Sequence, residues 1–409
     1  MTRFEAPRGT HDILPSEQPV WQWVTGEMQN VCALYGYRRV DTPAFEDTEL
    51  IVRTSGGGSD VVQKETYTFE DRGGRSLTLR PEATAPICRA YIQHGLHREP
   101  QPQKLYTIGP MWRYDRPQKG RYREHWQLSV EAIGSADPAV DAEVIQLYAE
   151  LLRRLGVMEA TLELNSIGAR NCRPAYVERL SAWLDEHDAE LDEEARAKRA
   201  TTPLRVFDVK SERVQALLAE APKIGESLCD ECREHFAEVR AFLDAYGVAY
   251  ELAPTLVRGL DYYTRTTFEF KSEDLGAKDT ICGGGRYDGL IEEIGGAATP
   301  GIGFGAGLER LVLSVPDADR EQDPVDVFFV TTETADRTRV LPLLAELRRR
   351  GLRADLDYAG RSQKGQLGQA GRLRAGWTVI VDGGHATVRE PGRDDWTAQL
   401  DELVDRISG

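Results

Sequence analysis

From position 301 to 307 of the segment PGIGFGAGLER, every second residue is glycine. A period of two is the side-chain repeat of a β-strand, so Ile302, Phe304 and Ala306 face one way while Gly301, Gly303, Gly305 and Gly307 leave the other face bare. Four glycines weaken a strand and are tolerable where another backbone or a flat ligand must approach closely. The strip suits either a planar purine, with Arg310 projecting from the start of the next helix, or tight helix-on-sheet packing.

The sequence around this strand predicts an α+β chain in two parts. Trp21 to Tyr35 repeats apolar residues at helical spacing, and Tyr37 to Pro43 reads as a strand halted by a proline that cannot donate to a ladder, which suggests an edge or an interface. Glu65–Phe69, Ser76–Arg80, Lys104–Gly109 and Trp126–Ile133 are short, partly alternating stretches with turn residues between them, as in an antiparallel sheet. Residues from about 172 to 246 carry helical patterns without a strong strand signal, a helical insertion. Strand-like sequence resumes at Tyr250, Thr266–Phe270 and Pro300–Leu308, closing a first domain over residues 1–322. Pro316 to Pro324 reads as a linker. Beyond it, strands at Val325–Val330, Arg353–Tyr358 and Trp377–Val381 alternate with helices at Arg337–Arg350 and near Ser362–Arg374, the pattern of a small α/β domain over 325–409 with a largely parallel sheet.

The formal charge of −16, from 51 basic and 67 acidic residues, argues against a surface built for indiscriminate nucleic-acid binding and leaves room for a local basic groove. No apolar stretch approaches the roughly 20 residues of a membrane span, and Met1–Pro15 has no apolar signal region, so a cytoplasmic protein without membrane contact is expected. Six scattered cysteines fit reduced thiols. Cys229 and Cys232 form a CxxC with His235 three residues on; a metal needs about four ligands and no second CxxC exists, so helix-surface thiols and no metal are expected.

No phosphate-loop pattern is present, and Gly283-Gly284-Gly285 fits neither a P-loop nor a dinucleotide turn. Any nucleotide must be held by arginines. Arg113, Arg116, Lys119, Arg121 and Arg123 crowd one segment between two strands, either a grip for phosphates or RNA, or a solvated hairpin. Next, Trp126, Leu128, Val130 and Ala132 alternate with Gln127, Ser129 and Glu131, giving a polar strand face that either lines a cleft or is wet by solvent. Glu82 and Thr84 follow Pro81, which suits a first helical position; a carboxylate there fits a ligand's ammonium group or the helix dipole.

Taken together these segments resemble the class II aminoacyl-tRNA synthetases, and within them the histidyl-tRNA synthetase family. Arg8-Gly9-Thr10-His11-Asp12-Ile13-Leu14-Pro15 resembles its N-terminal signature, and the Pro43 strand its dimer motif. Leu256-Val257-Arg258-Gly259-Leu260-Asp261-Tyr262-Tyr263 and Cys282-Gly283-Gly284-Gly285-Arg286-Tyr287-Asp288 narrow it to histidine. The resemblance covers essentially the whole chain. It implies an antiparallel-sheet catalytic core with a helical insertion, a C-terminal anticodon-binding domain, a homodimer, and ligation of L-histidine to tRNA(His) through an adenylate made from ATP with Mg²⁺.

By the same resemblance, Arg113 holds the α-phosphate and the amino-acid carboxylate, Arg310 the outer phosphates, and Arg258 is the catalytic arginine. Glu82, Thr84 and Gln127 take the ammonium group of histidine; Glu131 and Tyr263 take its ring, with Tyr262 and Tyr287 in the same pocket. Arg116, Gln118 and Arg121 meet the tRNA acceptor end. This sequence departs from the family in Asp115 where glutamate is common, in the order His125-Trp126, and in the short turn Asp382-Gly383-Gly384. The alternative is the synthetase-like regulatory subunit of ATP phosphoribosyltransferase, but such paralogues typically lack the anticodon domain and lose the Arg258 segment, and both are present here.

Overall fold

A computed structural model describes residues 4–55, 65–209, 211–257, 262–272, 279–316 and 324–408. Arg258 and most of the 316–324 linker lie outside the described residues. Two units result, Met1–Arg320 and Glu321–Gly409.

In the first unit, α1 (Gln18–Leu34) buries Val20, Trp21, Val24, Met28 and Val31 along one stripe. The strand expected up to Pro43 is only β1 (Arg38–Arg39), a parallel edge partner of β5. β2 (Phe45–Asp47) pairs with a hairpin of β3 (Thr68–Glu70) and β4 (Ser76–Leu79) in a small sheet, beside α2 (Thr48–Ser55). α3 (Thr84–Gln93) starts later than Pro81 suggests; Pro81 stays outside the helix. The long strands β5 (Gln103–Trp112) and β6 (Glu124–Ile133) then pair antiparallel over ten residues each. α4 (Pro138–Leu155) begins with Asp137 accepting from the Ala139 amide and ends on Gly156 at φ +75°.

β7 (Ala160–Ser166), not anticipated from the sequence, precedes the insertion. The insertion is helical as expected: α5 (Arg173–Glu186), α6 (Glu193–Thr201), α7 (Glu212–Leu218) and α8 (Asp230–Tyr246). β8 (Glu251–Leu252), β9 (Thr264–Ser272), β10 (Asp279–Arg286), the short α9 (Leu290–Glu293), β11 (Gly301–Gly307) and α10 (Leu308–Ser314) complete the unit.

The main sheet runs β1-β5-β6-β11-β10-β9-β7-β8, antiparallel except where β1 and β8 pair at its edges. Alternation divides it into two faces. Leu128, Val130 and Ala132 of β6 with Ile302, Phe304 and Ala306 of β11 join the core formed with α1, α4 and α10. The opposite face packs against α3 and the insertion through Ile87, Tyr91, Tyr176, Leu180, Tyr262 and Tyr287.

The three consecutive glycines belong to β10, and they serve packing: a Cβ on Gly284 would meet the Gly303 carbonyl and the Phe268 and Phe304 side chains, and one on Gly285 the Thr266 carbonyl and Tyr263. Arg286 anchors the end of that strand. Fully buried, it pairs with Asp141 at 2.7 Å and Asp288 at 3.0 Å and donates to the Ser135 carbonyl, while Thr266 donates to Asp141 at 2.6 Å. A buried ion pair of this kind is satisfied only when its remaining lone pairs and protons also find partners, as they do here.

The second unit has a five-stranded sheet in the order β13-β12-β14-β15-β16. β12 (Val327–Thr331), β13 (Ala354–Leu356) and β14 (Trp377–Asp382) are parallel, but β15 (His385–Arg389) and β16 (Trp396–Gln399) are antiparallel, so the sheet is mixed rather than largely parallel. Gly383-Gly384 closes the β14–β15 hairpin, with Gly383 at φ +61°, the tight turn that glycine permits. The helices are α11 (Thr334–Arg349), α12 (Gln363–Arg372) and α13 (Leu400–Ser408). α12 holds despite three glycines because Ser362 accepts from the Gly365 amide and the buried Gln366 amide bonds both the N–H and the C=O of Thr331. Among the described residues no helix is long and apolar enough to cross a membrane.

Candidate active site

On the second face of the main sheet, the bare strip of β11 is occupied. A Cβ on Gly301 would fall on the Tyr287 ring, one on Gly303 on the Glu131 carboxylate, and one on Gly305 on the Gln127 amide. Three of the four glycines therefore bed one side chain each from neighbouring segments, and the planar-ligand reading survives only at Gly305 and Gly307, which border a cleft. At Gly307 a Cβ would meet nothing within 4 Å.

That cleft has a volume of about 310 Å³, the lower end of the range for small-molecule sites. Besides the β11 glycines, its walls come from six places: Glu82 and Thr84 at the start of α3, the Arg113–His125 segment, Gln127 on β6, Tyr262 and Tyr263 before β9, Glu269 with Thr280–Gly283 on β9 and β10, and Glu309 with Arg310 on α10. The basic segment is a hairpin, closed by Gln118 and Arg121 exchanging main-chain hydrogen bonds around Gly120 at φ +71°. It folds onto the N-terminal signature. Arg123 donates its main-chain N–H to Gly9, where any Cβ would strike the Arg123 side chain, and the His11 and Tyr122 rings lie 4.2 Å apart. The Arg123 guanidinium sits 3.7 Å from the centre of the Tyr114 ring.

Two carboxylates sit at the base of this region. Glu82 accepts from the Thr84 and Ala85 amides at 2.7 and 3.0 Å, so it caps α3 as well as facing the cleft. Burial raises its pKa, and those hydrogen bonds and Arg113 pull the other way. Glu131 is fully buried between the Thr84 hydroxyl at 2.6 Å and the Tyr287 hydroxyl at 2.5 Å. Loss of solvent lifts its pKa to about 8, against hydrogen bonds that lower it and the Glu82 charge that raises it further.

At the other chemical extreme, His125 is held neutral, with a pKa near 3, first by burial and then by the charges of Arg113, Arg310 and Arg121. Three guanidiniums thus share one neighbourhood. Arg113 is fixed by donating to the Pro81 carbonyl at 2.8 Å, and Arg310 by donating to the carbonyls of Gly120 and Thr280. Pre-positioned arginines beside a hydroxyl, an amide and a carboxylate make a site that can hold an anion and a small polar group at once. Glu309, which accepts from the Trp126 amide at 2.8 Å, has its pKa raised to about 7 by burial.

Of the residues expected at the site, Glu82, Thr84, Arg113, Arg121, Gln127, Tyr262, Tyr263 and Arg310 line the cleft together. Glu131 and Tyr287 lie behind it, reached through Thr84, so Gln127 and Glu131 do not both open onto the cleft as a polar strand face. Arg116 and Gln118 are exposed on the hairpin, away from the cleft lining. Glu269 and Glu309 line the cleft without having been singled out from the sequence, and so does His125, noted there only for its order with Trp126 and not as a site residue. The alternation that marks Gln127 extends to His125 and would have found it.

Apart from the cleft, Cys232 is fully buried and Cys172 nearly so, which corrects the expectation of helix-surface thiols for the CxxC.

A profile described as histidyl-tRNA synthetase matches residues 9–311. The histidine–tRNA ligase of Desulforamulus reducens is 47% identical over 410 residues, 97% of each chain. That of Halothermothrix orenii is 46% identical over 393 residues, 94% of each chain. Among solved structures, apo S. aureus histidyl-tRNA synthetase superposes with a TM-score of 0.82 at 36% identity, covering all of both chains. With the motifs at the cleft and this similarity along its length, the chain belongs to the histidyl-tRNA synthetase family.

Proposed function

We propose that the protein ligates L-histidine to tRNA(His) in two steps at the cleft on the glycine-bearing face of the sheet. A histidine carboxylate oxygen attacks the α-phosphorus of ATP, the bond to the β-phosphate oxygen breaks, and diphosphate leaves. The 3′-hydroxyl of the terminal adenosine then attacks the carbonyl carbon of the adenylate, giving histidyl-tRNA and AMP. Neither step needs a protein nucleophile. The observation that carries this reading is the meeting of Arg113, Arg121 and Arg310 with Glu82, Thr84 and Gln127 in one cleft.

Arg113 takes the α-phosphate and the amino-acid carboxylate, and Arg310 the outer phosphates, as fixed positive charge aimed at charge that develops in the transition state. By the resemblance of its segment to the family motif, Arg258 is assigned the same kind of role. Glu82, Thr84 and Gln127 receive the ammonium group. Tyr263 serves the imidazole directly, and Glu131 acts on it through the Thr84 and Tyr287 hydroxyls that it holds, with Tyr262 alongside; a site built to pair with ring nitrogens rejects apolar isosteres without editing. Glu269 and Glu309, which line the cleft, would hold Mg²⁺, an ion that takes one or two carboxylates along with substrate phosphates. When bound, it neutralises phosphate charge.

Arg116, Gln118 and Arg121 lie on the hairpin assigned to the acceptor end. The second unit is the anticodon-binding domain and residues 1–322 the catalytic domain, working in the cytoplasm. A homodimer is inferred from the resemblance of the Pro43 strand to the dimer motif; light scattering should give twice 45.7 kDa, and the single-chain mass at micromolar concentration would refute it. The regulatory-subunit reading is not favoured, because the ligase relatives match across nearly the whole chain. Exchange of labelled diphosphate into ATP tests the first step: it should require histidine, and its absence in folded protein with saturating Mg-ATP would overturn the proposal.

A further inference from the structure

The insertion carries a second cluster of chemistry that the ligase reaction does not use. Cys172, the residue before α5, meets Cys229, the residue before α8, and Cys232 in the first turn of α8. Their sulfurs all lie within 4.8 Å of one another, with Cys172 Sγ 3.0 Å from that of Cys229 and 3.5 Å from that of Cys232. Sequence spacing gives only the CxxC; the third thiol arrives from 57 residues upstream.

Three features distinguish this from chance packing of thiols. A disulfide joins two sulfurs, whereas here three converge on one point. Two main-chain amides donate to sulfur, Ala169 to Cys232 at 3.3 Å and Cys229 to Cys172 at 3.4 Å, bonds that support the negative charge the sulfurs take on when a metal displaces their protons. The group is also graded in exposure: Cys172 and Cys232 are buried and Cys229 is half-buried, which leaves one open side. Zinc–sulfur bonds of about 2.3 Å in tetrahedral geometry place sulfurs roughly 3.8 Å apart, so the cluster reaches that arrangement with shifts under about 1 Å.

We propose that Cys172, Cys229 and Cys232 bind one Zn²⁺ ion, with water in the fourth position. Among the described residues no further histidine, cysteine or carboxylate joins the three sulfurs, which is why water is assigned there. On binding, three S–H protons pass to solvent and three sulfur–zinc bonds form, with no change of oxidation state. The site is structural. It ties the start of the first insertion helix to the start of the last, on a loop whose Ile167 and Gly168 bond the main chain of Arg265. Arg173, next to Cys172, donates to the carbonyls of Ile167 and Tyr263, so the staple backs one wall of the cleft.

The test uses the full-length protein purified reduced and without chelator, with zinc measured by atomic emission. About one zinc per chain is expected, falling at least about tenfold in Cys172→Ser. Titration of chelator-stripped wild-type protein with Co²⁺ should give a thiolate-to-cobalt absorption band saturating at about one equivalent, so the proposal stays testable if Cys172→Ser does not fold. Binding that saturates below about one-tenth of an equivalent would overturn it. So would a cobalt band that persists unchanged in folded Cys172→Ser, or a native mass lower by two hydrogens and restored by reductant, which would mean a disulfide instead.

Discussion

On β6 and β11 the even-numbered residues Leu128, Val130, Ala132, Ile302, Phe304 and Ala306 are buried in an apolar core with α1, α4 and α10. The odd-numbered positions of the same two strands carry Gln127, Glu131 and the glycines that make room for them. One face is filled by volume, so small changes there cost packing and little else. The other is filled by polar groups at fixed positions, where one added methyl displaces a functional atom. Stability and chemistry are thus separated by the strand period, and variants on the two faces should move different observables.

The largest effect is expected at Arg258. Arg258→Ala should lower kcat for adenylation by about 10² to 10³, the loss of one transition-state contact, with KM for ATP and histidine changed much less. Arg258→Lys should rescue little, since an ammonium lacks the planar two-pronged contact. A raised KM at unchanged kcat would make Arg258 a binding residue.

Glu131→Gln should lower kcat/KM for histidine by about ten- to a hundredfold, the cost of leaving a buried hydroxyl partner badly satisfied, with KM for ATP nearly constant. It should also change a pH profile. The folded pKa of Glu131, about 8, exceeds its ordinary value of 4.5, so its contribution is fully present below pH 4.5 and is lost as pH rises through 8. Glu309, raised to about 7, and Asp141, raised to about 6, act in the same direction. The melting temperature of the ligand-free protein should therefore fall as pH rises from about 4 to about 8, and Glu131→Gln should flatten the upper part of that fall. An unchanged slope would show that Glu131 is not the titrating group.

Gly305→Ala tests the claim that glycine is there for its neighbour. Its Cβ would displace the Gln127 amide, the mobile end of a side chain, so the fold should persist while KM for histidine rises about three- to tenfold, the net value of an ordinary hydrogen bond. Ile302→Val, three residues away on the same strand and on its apolar face, should cost about 0.5–1.5 kcal/mol of stability and leave diphosphate exchange within about twofold. If both variants moved the same observable, the division between faces would fail.

Period-two patterns were what the sequence displayed best, and the strands that carry them, β5, β6, β9 and β11, lie where they were expected. β7 escaped because Leu162 and Leu164 alternate over too short a run beside strongly helical sequence, and β10 because Cys282-Gly283-Gly284-Gly285 has almost no side chains to alternate. Gln127, Arg113 and Arg310 could be picked out by type and position. The depth of Glu131 could not, since it depends on Gly303 in a different strand and on Tyr287 beyond it. Gly9 and His11 were recognisable only as a signature; their task, bracing the 113–123 hairpin, is a contact across more than a hundred residues. Cys172 was invisible to spacing for the same reason.

In the second unit the basic run from Leu343 to Ala375 looks in sequence like a net surplus for RNA. Much of it is bound internally: Arg349 and Arg350 pair with Glu346, Arg350 also with Asp405, and Arg361 with Asp357. Electrostatic steering of RNA by this unit is therefore weaker than the count of arginines implies.

The central claim is that the cleft completes both steps, and the most direct measurement is charging of a tRNA(His) transcript with labelled histidine while AMP release is followed in the same reaction. The account predicts histidine esterified to the 3′-terminal adenosine, one AMP per charged tRNA, and no charging when histidine is replaced by another amino acid. Folded protein that releases no AMP with all three substrates present, or releases it without charging the tRNA, would contradict it.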